Sequence, residues 1–301
     1  MSGGVLDPDF DLDAYLPPEE TRLGYLLRLS RPRFWLYLAG PVVVGVAYAA
    51  DGPAELFSPV ALLAFAYFLV PANVFLYGVN DVYDADIDEL NPKKEEREVR
   101  YEGSPTVLAA VILSGAAALV VTLFLDPLDL TLPVVVAWLL LSIEYSAPPL
   151  RFKTTPFLDS VSNGLYVLPG VIAFTAIEGA YPPLAAVLGG WLWTMGMHTF
   201  SAIPDIEPDR EAGIRTTATV LGQGWTYVYC GLCWAAAAVA FLAVHPFFTA
   251  VLVAYPAIVF AIARSGVDVD DAYWWYPAIN TVAGMVITMG GLWVMLYGVP
   301  F

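Results

Sequence analysis

Positive charge is scarce in this chain, and lysine is scarcest. Lys93, Lys94 and Lys153 are the whole supply, and Lys and Arg together number 13 against 29 Asp and Glu. A formal net charge of −16 repels nucleic acid and anionic lipid, which a basic surface would attract. Charge of either sign is thin: 14% of the 301 residues are charged, where a soluble domain carries about a quarter. With 58% hydrophobic residues and a mean hydropathy of +0.66, that deficit excludes an ordinary soluble domain and points to a membrane protein. Cysteine is limited to Cys230 and Cys233, both inside an apolar run. With no second pair and no basic neighbour, a metal or redox role is disfavoured and a buried, inert pair is expected. A cleavable signal peptide is also missing, because the first twenty residues are acidic and hold Pro17 and Pro18.

What is abundant is long apolar runs. Nine are of membrane-spanning length, at about 34–50, 58–79, 105–125, 131–147, 158–177, 183–203, 218–243, 246–263 and 275–299. The cations test that count. Arg22, Arg28, Arg31 and Arg33 precede the first span; Lys93, Lys94, Arg97 and Arg100 follow the second; Arg151 and Lys153 follow the fourth. Arg210 and Arg215 follow the sixth, and Arg264 ends the eighth. The alternate connections around Asp51, Asp126, Glu178 and His245 hold no Lys or Arg. The positive-inside rule then places the amino terminus in the cytoplasm and the carboxyl terminus outside, in the cell membrane. The expected architecture is an all-α, polytopic helical bundle of nine transmembrane helices. An acidic cytoplasmic segment, 1–22, precedes a membrane domain, 23–301. Leu23–Tyr37 is either an amphipathic interfacial helix or the first turns of span one.

Two acidic clusters lie at the ends of even-numbered spans. In Asn80-Asp81-Val82-Tyr83-Asp84-Ala85-Asp86-Ile87-Asp88, the acids Asp81, Asp84 and Asp88 are three and four residues apart and share one helical face. Carboxylates so gathered repel one another unless a cation binds them, and Asn80 adds a neutral oxygen suited to Mg²⁺. Asp205-Ile206-Glu207-Pro208-Asp209 repeats the device, with Asp205 and Asp209 one turn apart. The topology puts both clusters on one face of the membrane. Opposed there, they form a cage for a Mg²⁺-bridged diphosphate, with Lys93, Lys94, Arg97, Arg151, Lys153, Arg210 and Arg215 at hand to neutralise its oxygens. Solvated acidic loops are the competing reading of either cluster alone.

The first cluster resembles the N-D-x-x-D-x-x-x-D motif of UbiA-type prenyltransferases, and Asp205–Asp209 resembles their D-x-x-x-D motif, continued by Gly213-Ile214-Arg215-Thr216-Thr217. Tyr145-Ser146-Ala147-Pro148-Pro149-Leu150-Arg151-Phe152-Lys153 is similar to their Y-S-x-P-P-L-R-x-K loop, and Arg31-Pro32 to their usual start of span one. The likeness spans the membrane portion but not the acidic first twenty residues. It implies that Asn80, Asp81, Asp84, Asp88, Asp205 and Asp209 hold Mg²⁺ and diphosphate. It also implies that Lys153, Tyr145 and Ser146 contact the diphosphate, with Arg97, Arg151, Arg210 and Arg215 as helpers. The implied chemistry is ionisation of an allylic diphosphate and attack on the cation by an electron-rich acceptor.

Three functional readings stand. Pro71–Val79 and Asn91-Pro92-Lys93-Lys94 resemble lycopene elongases of salt-loving archaea, which add C5 units to lycopene towards bacterioruberin; the acidic composition agrees. That resemblance implies dimethylallyl diphosphate as donor, lycopene as acceptor and hydration of the resulting tertiary cation. A second reading is another UbiA reaction, on a glyceryl phosphate lipid precursor or a quinone ring. A third is a cation-binding transporter, disfavoured because charge lies almost wholly at one face rather than near the midplane. Glu144, beside Tyr145, is either the base that activates water or an interfacial acid. His198 lies seven residues before Asp205, about two turns deeper. It either lines the acceptor pocket or is satisfied by a neighbouring helix.

Overall fold

The computed structural model describes residues 15–84 in full, the backbone of 85–88, and residues 103–298. Every regular element among them is helical. All nine expected spans are present as helical segments. Seven are long and apolar enough to cross a membrane unaided; Trp35–Ala49 and Leu184–Ser201 fall short of that standard. Large apolar side chains, including Leu113, Leu232 and Val239, are exposed around the outside. A contiguous surface of that kind belongs in lipid.

The breaks in the helices have local causes, and several aim the functional segments. Arg22–Leu29 is a separate short helix, N-capped by the Thr21 side chain. It ends because Pro32 disfavours helical backbone at Arg31, which adopts φ 51°. The segment therefore begins as a helix separate from span one rather than as its first turns. The second expected span is two helices, Pro59–Leu69 and Pro71–Asp88. Pro71 lacks an N–H and frees carbonyls in the preceding turn, and the Asn73 amide donates to Phe68 O at 3.0 Å and Leu69 O at 2.9 Å. The first acidic motif is not in a loop: it forms the last turns of this second helix, whose end lies nine residues beyond the expected boundary at 79.

The fifth span is unwound at its motif end, as Leu158–Val161, a 3₁₀ turn Ser162–Tyr166, and then Leu168–Glu178. The Trp191 indole lies against Gly164, where any added Cβ would meet it at 1.8 Å, and donates to Val161 O at 2.8 Å. Helix Thr217–Leu242 kinks at Gly222, φ 72°. The Thr219 carbonyl at the kink accepts from Arg210 Nε and Nη2 at 3.2 and 2.9 Å.

Two apolar cores hold the bundle. One, around Trp138, Phe68, Phe75, Leu38 and Ile172, belongs to residues 29–173; the other, around Trp234, Phe200, Tyr255 and Tyr276, belongs to 197–276. Cys230 and Cys233 are buried and unpaired, Cys230 within the second core. Helices Trp35–Ala49 and Leu168–Glu178 touch backbone to backbone, since a Cβ on Gly45 would sit 2.4 Å from Gly170 O. The last helix, Tyr276–Tyr297, closes on the first span: Tyr48 donates its hydroxyl to Ile287 O at 2.8 Å, and Asn280 bridges Tyr255 and Tyr37.

Candidate active site

Asp81 and Asp84 stand on one face of the motif helix, as their spacing requires, and each is matched by cations from another segment. Asp81, 2% exposed, pairs with Arg31 at 3.1 Å. The same guanidinium lies 4.6 Å over the Tyr77 ring. Asp84 accepts from Arg151 at 3.0 Å, from the Lys153 ammonium, and from the Asn80 amide at 2.9 Å. Asn80 also reaches Ser146 at 3.4 Å. Arg151 has φ 39°, which turns the chain after Pro148-Pro149 back over the motif helix. The loop 145–153 and the first acidic motif are thus one cluster, as the resemblance implies.

The second motif begins at Asp205, the N-cap residue of the short helix Ile206–Glu211. The Asp205 and Asp209 carbonyls order the turn, accepting from Asp209 N and Ile214 N, both at 2.8 Å. Tyr273 interacts electrostatically with Asp205, Arg33 and Tyr166. Tyr166 in turn reaches Tyr77 and Arg31, which face the first motif. Tyr37 packs edge-on to Tyr166, ring centroids 6.3 Å apart, and Tyr145 interacts electrostatically with both Tyr166 and Asp84. Five tyrosines, 37, 77, 145, 166 and 273, therefore form one cluster that touches residues of both motifs. Their ring faces carry the negative potential that an allylic cation needs.

Other expected site residues lie elsewhere. Arg210 is taken up by the Thr219 carbonyl and by Glu207 at 2.8 Å, while Arg215 is exposed. Glu144 accepts from the Leu150 N–H at 3.4 Å, at the loop's exposed side. His198 is not hydrogen-bonded by a neighbouring helix; its ring packs edge-on to Tyr145, centroids 5.9 Å apart. The Asp88 side chain and Lys93, Lys94, Arg97 and Arg100 lie outside the described residues. Among the described residues, no three Asp, Glu, His or Cys side chains form a metal-ligating group. The oxygen donors of Asn80, Asp81 and Asp84 nonetheless suit a hard divalent ion, and that chemistry is the fit available to Mg²⁺.

Sequence reasoning missed Asp159. It is 1% exposed, and its carboxylate accepts from Thr217 N at 2.8 Å and from the Thr217 hydroxyl. Thr217 Oγ1 accepts in turn from Phe157 N at 2.7 Å. One buried acid thus ties the Arg151–Lys153 loop to the first turn of the helix that follows the second motif. An acid inside an apolar span was the available signal. Arg31, noticed only as part of a span start, is the ionic partner of Asp81.

A model of the UbiA prenyltransferase family matches residues 38–273. Among curated proteins, the chain is 66% identical to the lycopene elongase/hydratase of Haloarcula japonica over 292 residues, 97% of this chain and 99% of that protein. It is 64% identical to the lycopene elongase/hydratase of Haloferax volcanii, over 92% of this chain and 91% of that one. Its fold is similar to that of a UbiA homolog from Archaeoglobus fulgidus bound to DMAPP and Mg²⁺, with TM-score 0.67, 21% identity, and coverage of 89% and 99%. A UbiA homolog from Aeropyrum pernix K1 gives TM-score 0.69 at 22% identity, covering 88% and 98%.

Proposed function

The chain belongs to the UbiA prenyltransferase family and is a multi-pass membrane prenyltransferase, and from that premise we propose that it adds C5 units from dimethylallyl diphosphate to the ends of lycopene, with hydration. The observation that carries this reading is likeness along almost the whole length to proteins named for that reaction, supported by an Asp84–Arg151–Lys153 cluster whose charges suit a metal-bound diphosphate.

Asn80, Asp81, Asp84 and Asp88 would hold Mg²⁺ on one side of the cavity, and Asp205 and Asp209 on the other. When bound, Mg²⁺ supplies a Lewis acid that stabilises the departing diphosphate. Arg31, Arg151 and Lys153, now held by Asp81 and Asp84, become donors to the diphosphate oxygens once the carboxylates turn to metal. Tyr145 and Ser146 sit at the same edge and would orient the group. The tyrosine wall shields the C5 cation from water and stabilises it through ring faces until the terminal alkene of lycopene attacks. Attack leaves a tertiary cation on the carotenoid, which captures a water held within the bundle.

Topology supports the same reading. Both motifs, and the acidic segment 1–22, would face the cytoplasm, where a water-soluble donor is available. The test is incubation of membranes containing the protein with lycopene, dimethylallyl diphosphate and Mg²⁺ in H₂¹⁸O, followed by mass analysis of the pigments. C5-extended, ¹⁸O-labelled product is expected. No extended carotenoid, with transfer instead to a glyceryl phosphate lipid precursor, would replace the acceptor; extended product without ¹⁸O would remove the hydration.

A further inference from the structure

Capture of water by a tertiary cation releases a proton, and inside a dry bundle that proton needs an acceptor. The nearby acids are engaged. Asp81 is held by Arg31, Asp84 by Lys153 and Arg151, and Asp159 by two hydrogen bonds from Thr217. Glu144 is turned to the Leu150 backbone at the loop.

His198 is placed differently. It projects from helix Leu184–Ser201, two turns deeper than Asp205 and so deeper than the diphosphate site. Its ring lies edge-on to Tyr145, itself in electrostatic reach of Asp84. Neither imidazole nitrogen has a hydrogen-bond partner among the described residues, yet neither is among the fully buried polar atoms left unpaired, so the half-buried ring keeps its nitrogens accessible. A half-buried imidazole with an accessible, unused nitrogen is a base that can take a water beside it. The Asp159 carboxylate is within electrostatic range of that imidazole. Burial disfavours the imidazolium that proton uptake creates, and the Asp159 anion offsets part of that cost.

We propose that His198 is the general base of the hydration step, with Asp159 as the residue that stabilises its protonated form. The assignment rests on the reading of the chain as an elongating hydratase. In the step, a water O–H bond breaks as its oxygen forms the C–O bond to the tertiary carbon; the proton goes to an imidazole nitrogen and leaves with the departing diphosphate. Without the imidazole, the cation loses a proton from an adjacent carbon to the departing diphosphate, its C–H electron pair forming the alkene. His198 therefore decides between alcohol and alkene, not whether C5 transfer occurs.

The test is product partition. Membranes carrying the wild type, His198→Ala or His198→Gln are given lycopene, dimethylallyl diphosphate and Mg²⁺, and C5-extended alcohol and C5-extended alkene are weighed separately. General-base assistance is worth about 10²–10⁴-fold. The alcohol-to-alkene ratio is therefore expected to fall by at least about tenfold in both variants, total C5 addition staying within about threefold. Added imidazole should raise the ratio again in His198→Ala. Either variant that accumulates folded suffices, since the ratio is internal to each preparation. An unchanged ratio overturns the assignment, as does a parallel loss of both products or a ratio that collapses in Glu144→Gln instead. If the wild type itself yields no C5-extended carotenoid, the reading of the reaction fails, and that result differs from every failure of His198 alone.

Discussion

Replacing Asp84 with Asn isolates what the carboxylate charge does, because volume and one acceptor oxygen survive. Asp84 anchors Lys153, Arg151 and Asn80, and the first two have side chains 14% and 32% exposed. Breaking a fully buried ion pair costs about 3–5 kcal/mol, while exposed pairs contribute at most about 1 kcal/mol. These partly covered cations can rehydrate, so a stability loss of about 1–2 kcal/mol is expected. The catalytic loss is larger. Removing one preorganised group aimed at transition-state charge costs about 2.7–4 kcal/mol, a fall of about 10²–10³ in rate. The assay is the initial rate of C5 addition at saturating Mg²⁺, beside thermal unfolding in detergent followed by tryptophan fluorescence. Adding Lys153→Met should recover part of the stability and none of the rate, because the uncompensated ammonium is gone while the metal face stays incomplete. A folded Asp84→Asn protein turning over within threefold of wild type would refute the reasoning.

Other substitutions probe the scaffold and the topology. Asp159→Ala should cost about 2–4 kcal/mol of stability, from two hydrogen bonds to a charged group; Thr217→Val removes the hydroxyl bond and keeps the backbone N–H, so the double mutant should fall short of the sum of the singles, and simple additivity would count against the tie. Gly45→Val should fail to accumulate, since the new Cβ meets Gly170 O at 2.4 Å, whereas Gly52→Ala, with nothing within 4 Å, should be neutral in detergent unfolding. Arg210→Ala should lower stability by about 1 kcal/mol through the freed Thr219 carbonyl; a KM for diphosphate raised far beyond that effect would move Arg210 into the donor site. Single cysteines at positions 86 and 207 should resist impermeant thiol reagents in intact cells, and labelling from outside would reverse the topology.

The sequence by itself determined the membrane class, the helical segments and the first carboxylate face. Those follow from local rules: the length of an apolar run, the one-sided placement of Lys and Arg, and the helical period that aligns Asp81 with Asp84. Glycine and proline told where helices break, yet not what the breaks achieve. Asn73 meets the carbonyls freed by Pro71 through contacts only four and five residues long, a local capping that the apolar pattern did not announce. Only packing brought Arg31, fifty residues away, onto Asp81, and Asp159 onto Thr217, fifty-eight residues away. Tyr37, Tyr77, Tyr145, Tyr166 and Tyr273 lie on different helical segments with no common spacing; no periodicity could foretell that they gather in one cluster. Arg210 makes the same point in reverse, for its position beside Asp209 suggested a phosphate and the kink at Gly222 claimed it for a backbone carbonyl. A residue's type and its helical face are local properties. What it meets across the bundle is set by helix breaks and crossings that depend on the whole chain.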